Sequence, residues 1–242
     1  MSRYYRSSTS DIGYPRWTRA VRMLIITCVV VFVLQTFDSI SGGGNTLIRS
    51  FGLTPLLVTR SFYLWQLVTY IFLHGGAIHI IFNMLGLWMF GSDLERLWGA
   101  RKFTTFFFVC GIGAGLITVL VSPSSHVPTI GASGAIYGIL LAFGMLFPNR
   151  IIYWIIFPIR AKWFVLIMGG LAFYSSITAN GGGIANVAHL GGMLFGWIYL
   201  KGGNTIPGFR WRYEKWQRQR LRRKFDVYYN ERHRKDDDRR PN

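Results

Sequence analysis

Long apolar runs, broken by short polar and charged intervals, set the layout of this chain. Six of them are apolar enough to enter a bilayer, which takes roughly 17–25 residues per helix. They cover residues 21–37, 77–91, 103–121, 131–147, 163–178 and 184–200. A long polar and amphipathic stretch, residues 38–64, follows the first, and apolar residues accumulate again from Leu67. Residues 122–129 form a short uncharged loop with two prolines, Pro123 and Pro128. The fourth run stops at Pro148, which removes a backbone donor and clashes with the preceding turn. Residues 180–183 read as a glycine turn. The pattern predicts an all-α membrane protein, one domain formed by a six-helix bundle.

Composition agrees with the pattern. Of the 242 residues, 51% are hydrophobic and only 15% are charged, against about 25% in an ordinary soluble domain. The charge is also uneven. Fourteen Lys/Arg and six Asp/Glu lie in residues 201–242, after the last apolar run. A basic stretch directly after a membrane helix is a topological signal and an anionic-lipid contact. The net charge of +17 is therefore no argument for a nucleic-acid partner. The expected divisions are a cytoplasmic N-terminal segment (1–20), a membrane domain (21–200) and a basic cytoplasmic tail (201–242). Cys28 and Cys110 both fall in apolar runs and read as small buried hydrophobes. The first run follows Arg16, Arg19 and Arg22 but lacks a small-residue cleavage site, so it reads as a retained helix.

Charge gives the direction of each span. Arg3, Arg6, Arg16, Arg19 and Arg22 precede the first. Arg96, Arg101 and Lys102 lie between the second and third, and Arg150, Arg160 and Lys162 between the fourth and fifth. The loops after the third and fifth hold no Lys or Arg, and the first loop holds only Arg49 and Arg60. Both termini and the even loops are expected in the cytoplasm. Gly111/Gly115, Gly134/Gly138 and Gly192/Gly196 are spaced four apart, a spacing that lets helix backbones approach in lipid. It suggests that the fourth and sixth helices touch.

Ionisable and polar residues at membrane depth are functional candidates. They are His79 and Asn83 in the second span, Ser133 and Tyr137 in the fourth, and His189 in the sixth, with His74 just before the second. These three spans run from the outer face inward. His79 and Ser133 stand three residues into their predicted helices and His189 six, roughly 5–10 Å below the helix starts. Polar groups on three helices thus share one level in the outer half of the membrane.

That set has chemistry available to it. A serine hydroxyl between Gly131-Ala132 and Gly134 needs a base, and the neutral imidazole of His189 suits the task. No Asp or Glu lies in the outer membrane half, so a carboxylate triad is unavailable. Tyr137, one turn after Ser133, is the candidate to orient His189, by stacking or by hydrogen bonding. His79 and Asn83, four apart on one helix face, can donate to an oxyanion together with the Ser133 backbone N–H. His74 reads as a tie for the first loop.

Gly131-Ala132-Ser133-Gly134 with Tyr137 resembles the Gly-x-Ser-Gly motif of rhomboid intramembrane serine proteases. His79-x-x-x-Asn83 resembles that family's helix-two motif, and Ala188-His189-x-x-Gly192 its helix-six motif. The order and spacing agree across residues 64–200. The resemblance implies a six-transmembrane-helix rhomboid-like bundle, a Ser133–His189 dyad, an oxyanion site from His79, Asn83 and the Ser133 N–H, and a lateral gate at the fifth helix. It implies single-span transmembrane protein substrates, cut near the outer membrane boundary, with no cofactor and no metal. Two departures stand out. Trp65-Gln66 replaces the Trp-Arg of some bacterial members, and Glu95-Arg96-Leu97 lacks the usual Glu-x-Arg spacing. They bear on first-loop contacts and inner-face packing. A non-catalytic rhomboid-like client-binding protein is the alternative, and a solute transporter or channel is disfavoured by the outer-half placement. The chain's compactness and the absence of a targeting extension point to a prokaryotic inner membrane.

Overall fold

The computed structural model describes residues 17–42, 44–154, 157–178 and 184–202. Arg3, Arg6 and Arg16, the glycine turn at 180–183 and the tail from 203 onward lie outside the described residues. The architecture below is that of the unit ending at Tyr199.

In chain order the helices are α1 (Arg19–Ile40), three short ones in the first loop, α2 (Thr46–Phe51), α3 (Pro55–Ser61) and α4 (Gln66–Thr69), then α5 (Ala77–Gly86) and α6 (Ser92–Trp98). A π-helical turn, Leu87–Gly91, joins the last two. They are followed by α7 (Ala100–Val121), α8 (Ser133–Leu146), a hairpin of β1 (Ile151–Trp154) and β2 (Phe157–Arg160), α9 (Ala161–Thr178) and α10 (Ile184–Gly202). Among the described residues, four helical runs are long and apolar enough to cross a membrane: Arg19–Ile40, Ala77–Trp98, Ala100–Val121 and Ala161–Thr178. α8 is a shorter apolar helix. Val30, Val33, Leu34 and Phe37 of α1 are exposed while Val21, Leu24, Ile25 and Cys28 are buried. So apolar an outer surface is matched to acyl chains rather than water. The chain is an integral, multi-pass membrane protein.

The second span runs on to Trp98 instead of ending at Gly91. Its last turn carries Glu95, whose carboxylate accepts hydrogen bonds from Thr18 Oγ1 and from the backbone N–H groups of Ala20 and Val21. Glu95 thus caps α1, supplying acceptors to donors that no helix can satisfy internally. Asp93 pairs with Arg150 at 2.5 Å and with Arg96 at 3.4 Å. Packing at this end of the helices therefore has its own ion pairs and cap.

The first loop is ordered by a buried amide. Gln66 is fully buried; its Oε1 accepts from the Thr54 N–H and its Nε2 donates to Ser50 O. The loop at 122–129 docks on this layer through reciprocal Leu53–Thr129 backbone bonds of 2.9 and 2.8 Å. Gln66 therefore pins the first loop.

Glycines bring α8 against α7 and α10. A Cβ on Gly138 would meet Gly192 O at 2.9 Å, and one on Gly196 would meet Gly138 Cα at 3.2 Å. A Cβ on Gly111 would meet the Ile71 side chain. The expected touching of fourth and sixth helices is present as direct backbone contact, the arrangement that small residues permit.

The hairpin was not anticipated, because the interval between the fourth and fifth runs reads as a basic loop. Four-residue strands are too short to show a period. Register pairs Ile151 with Arg160, Ile152 with Ile159, and Tyr153 with Pro158.

Candidate active site

α8 starts at Ser133, two residues later than the apolar run suggests, so the serine opens its helix instead of standing inside it. The delay has a local cause. Gly131 adopts φ +121°, a conformation L side chains rarely enter, and a Cβ there would lie 2.8 Å from Cε1 and Nε2 of His79. The Gly131 N–H is held by Tyr70 O at 2.9 Å. The Tyr70 hydroxyl in turn donates to Gly111 O at 2.7 Å. A buried tyrosine of the first loop thus ties the turn before Ser133 to α7. As the first residue of α8, Ser133 has a backbone N–H with no partner inside its own helix.

His189, the sixth residue of α10, reaches Ser133 across the helix contact. Its Nε2 lies 2.8 Å from Ser133 Oγ. Both residues are half-buried. The Tyr137 ring stacks on the His189 imidazole at 4.1 Å between centroids, with the planes 3° apart. Of the two ways in which Tyr137 could orient His189, the structure has stacking. His189 Nδ1 is buried and has no hydrogen-bond partner among the described residues.

His79 and Asn83 sit on α5, one helical turn apart, and His79 faces the Gly131 turn. The Gly75 N–H donates to His79 Nδ1 at 3.2 Å. With Nδ1 accepting, the neutral ring carries its proton at Nε2, the atom turned toward Gly131. Asn83 Nδ2 donates one hydrogen to His79 O at 2.8 Å, which leaves its second N–H available. Asn83 is buried and His79 half-buried. The structure therefore gathers Ser133, Tyr137, His189 and His79 around one turn, with Asn83 bonded to the His79 carbonyl. No cluster of His, Cys, Asp or Glu able to hold a metal occurs among the described residues.

Two residues matter here that the sequence reading did not single out as site residues. Gln35, buried in α1, grips the backbone of His74 from both sides: Oε1 accepts the His74 N–H at 3.0 Å and Nε2 donates to His74 O at 3.2 Å. His74 Nδ1 donates to Phe72 O at 3.2 Å, and its ring meets His79 edge-on at 5.3 Å. Burial, and after it the neighbouring His79, hold the His74 imidazole down to about 4. It is neutral packing for His79, consistent with a structural tie. Tyr70 is the second such residue. A polar side chain inside an apolar run was the available signal for Gln35. Gln35→Leu should leave both His74 backbone groups buried without partners, a loss of about 2–4 kcal/mol. A denaturant titration of the detergent-solubilised chain measures it; an unchanged midpoint would show that the clamp contributes nothing.

Residues 61–202 match the family model described as Rhomboid domain. The rhomboid protease GluP of Bacillus subtilis (strain 168) is 30% identical over 187 residues, which is 77% of this chain and 34% of that protein. The mitochondrial Rhomboid protein 1 of Saccharomyces cerevisiae is 32% identical over 133 residues, 53% of this chain and 38% of the other. The putative rhomboid protease YdcA of Bacillus subtilis is 32% identical over 136 residues, 55% and 64% respectively. The chain thus spans about a third of the first of these relatives.

Proposed function

Because this chain belongs to the rhomboid family, we propose that it is an intramembrane serine endopeptidase. α1, α5–α6, α7, α8, α9 and α10 form its six-helix core, with both termini on the cytoplasmic side. Single-span transmembrane proteins are the substrates, cut near the outer membrane boundary. They enter from the side past α9, while water reaches Ser133 from above.

The observation that carries the proposal is the 2.8 Å contact between Ser133 Oγ and His189 Nε2. Ser133 Oγ attacks the scissile carbonyl carbon and its proton passes to His189 Nε2. The carbonyl oxygen becomes an oxyanion that accepts hydrogen bonds from the Ser133 N–H, the free Asn83 N–H and His79 Nε2–H. On collapse the imidazolium gives its proton to the leaving amine. An acyl-enzyme remains on Ser133, which water hydrolyses with His189 again acting as base. Tyr137 does by stacking what a carboxylate does in a triad: it fixes the plane of the imidazole.

The test is cleavage of a model single-span substrate by the reconstituted chain, with a fluorophosphonate probe reporting the nucleophile. Asn83→Ala should lower kcat about 100-fold and leave KM nearly unchanged, since its donor acts on the transition state. A rise in KM with kcat preserved would reassign Asn83 to substrate binding.

A further inference from the structure

The hairpin between α8 and α9 has a face that the described residues leave uncovered. β2 ends at Arg160, and a membrane-crossing helix begins at the next residue, Ala161. Two backbone bonds clamp the hairpin base to that helix: Ala161 N–H to Arg150 O at 2.8 Å and Lys162 N–H to Pro148 O at 3.2 Å. The hairpin therefore stands where a span meets the bilayer surface. Register puts the pairs Ile151/Arg160 and Tyr153/Pro158 on one face, and Ile152/Ile159 on the other. Ile152 is buried. On the opposite face Ile151 is 55% and Tyr153 69% exposed, and Arg160 and Pro158 are exposed beside them. Phe157 is exposed at the far end of β2.

A two-stranded hairpin is marginal in water by itself, and one that shows isoleucine, tyrosine and phenylalanine to water is poorer still. The same composition suits the headgroup layer, where an amphipathic ring keeps its polar end wet and basic residues meet lipid phosphates. The pattern continues into α9, where Lys162 Nζ lies 5.3 Å from the centre of the Trp163 ring and Trp163 is exposed. Arg150 has another partner. It pairs with Asp93 and lies over the Phe143 and Phe147 rings, fixing the hairpin base to the helix ends. Among the described residues, this leaves Arg160 and Lys162 as the basic groups that border the exposed apolar face. Exposed Leu166 and Ile167 extend the same surface along α9 toward the acyl chains.

We propose that the hairpin face made by Ile151, Tyr153, Pro158 and Arg160 is a lipid-binding surface that lies in the headgroup layer and takes anionic phospholipid. Ile151 and Tyr153 enter the acyl boundary, and Arg160 and Lys162 meet the lipid phosphate. The inference rests on hairpin register and span position, independently of the proteolytic reading.

The experiment uses the full chain in vesicles of phosphatidylcholine, with and without phosphatidylglycerol. Tyr153→Cys is labelled with an environment-sensitive maleimide dye; Cys28 and Cys110 are both fully buried, so the parent chain supplies the background. The label should be quenched by nitroxides at the headgroup and at shallow acyl positions, and little by deep ones or by aqueous iodide. Brominated phosphatidylglycerol should quench it more than brominated phosphatidylcholine. Arg160→Glu combined with Lys162→Glu should lower that preference, by about fivefold per charge. Helical circular dichroism and thermal unfolding in the same preparations report whether the fold is intact. Iodide quenching without lipid quenching would place the face in water and overturn the proposal. So would self-quenching that rises with protein-to-lipid ratio, since a second copy would then cover the face. An unchanged lipid preference in the double variant would remove the anionic-lipid assignment.

Discussion

Alanine at Ser133 or at His189 will abolish fluorophosphonate labelling and lower cleavage of a transmembrane substrate by about 10,000-fold or more. In the proposed mechanism the two groups act as a unit through one 2.8 Å contact. Without His189 the Ser133 hydroxyl keeps its proton and is a poor nucleophile at neutral pH. Without Ser133 the imidazole has nothing to deprotonate. The double variant should therefore be no worse than either single one, the non-additive signature of residues that work together. Thermal unfolding in detergent is the control, because neither side chain fills a core position and both variants should unfold near the parent temperature. Full cleavage by Ser133→Ala would end the dyad mechanism. Retained labelling in His189→Ala would mean that another base serves Ser133.

Gly192→Ala should disrupt the fold and the site together. A Cβ at Gly192 runs into the backbone carbonyl of Gly134, one residue from Ser133. Backbone cannot rotate out of the way as a side chain can, so α8 and α10 must separate. Overpacking of a close contact costs about 1–3 kcal/mol or more. Here the separation also lengthens the path from His189, three residues before Gly192, to Ser133. Gly192→Ala should lower the unfolding midpoint and reduce probe labelling at temperatures where the protein is still folded. Gly170→Ala in α9 is the matched control, since a Cβ there meets nothing within 4 Å. Equal behaviour of the two variants would refute the packing argument.

Some of this was legible from local properties of the sequence. Residue 133 between glycines, residue 189 in a later span, and residues 79 and 83 at helical spacing could be placed on helices from hydrophobic length alone. The glycines of α8 and α10 announced a close contact, because a missing side chain is itself a local fact. Other features could not be read that way. Ser133 was expected within its helix and is instead its first residue, because the turn at Gly131 depends on a histidine from α5 and a carbonyl from the first loop. Gln35 looked like one polar residue among many apolar ones, and its partner lies 39 positions away. The hairpin at Ile151–Arg160 needed a pairing that four-residue strands do not advertise.

The sequence by itself determined that the chain is a helical, multi-pass membrane protein, and which polar side chains fall within its apolar helices. These follow from transfer free energies of consecutive residues, which add along the chain without reference to its fold. Only the tertiary structure decided that Tyr137 stacks on His189, that His79 turns Nε2 toward Gly131, and that Gln35 holds the His74 backbone. Each depends on the angle and approach of two helices distant in sequence. Those are set by the packing of many small residues at once, so no single segment encodes them.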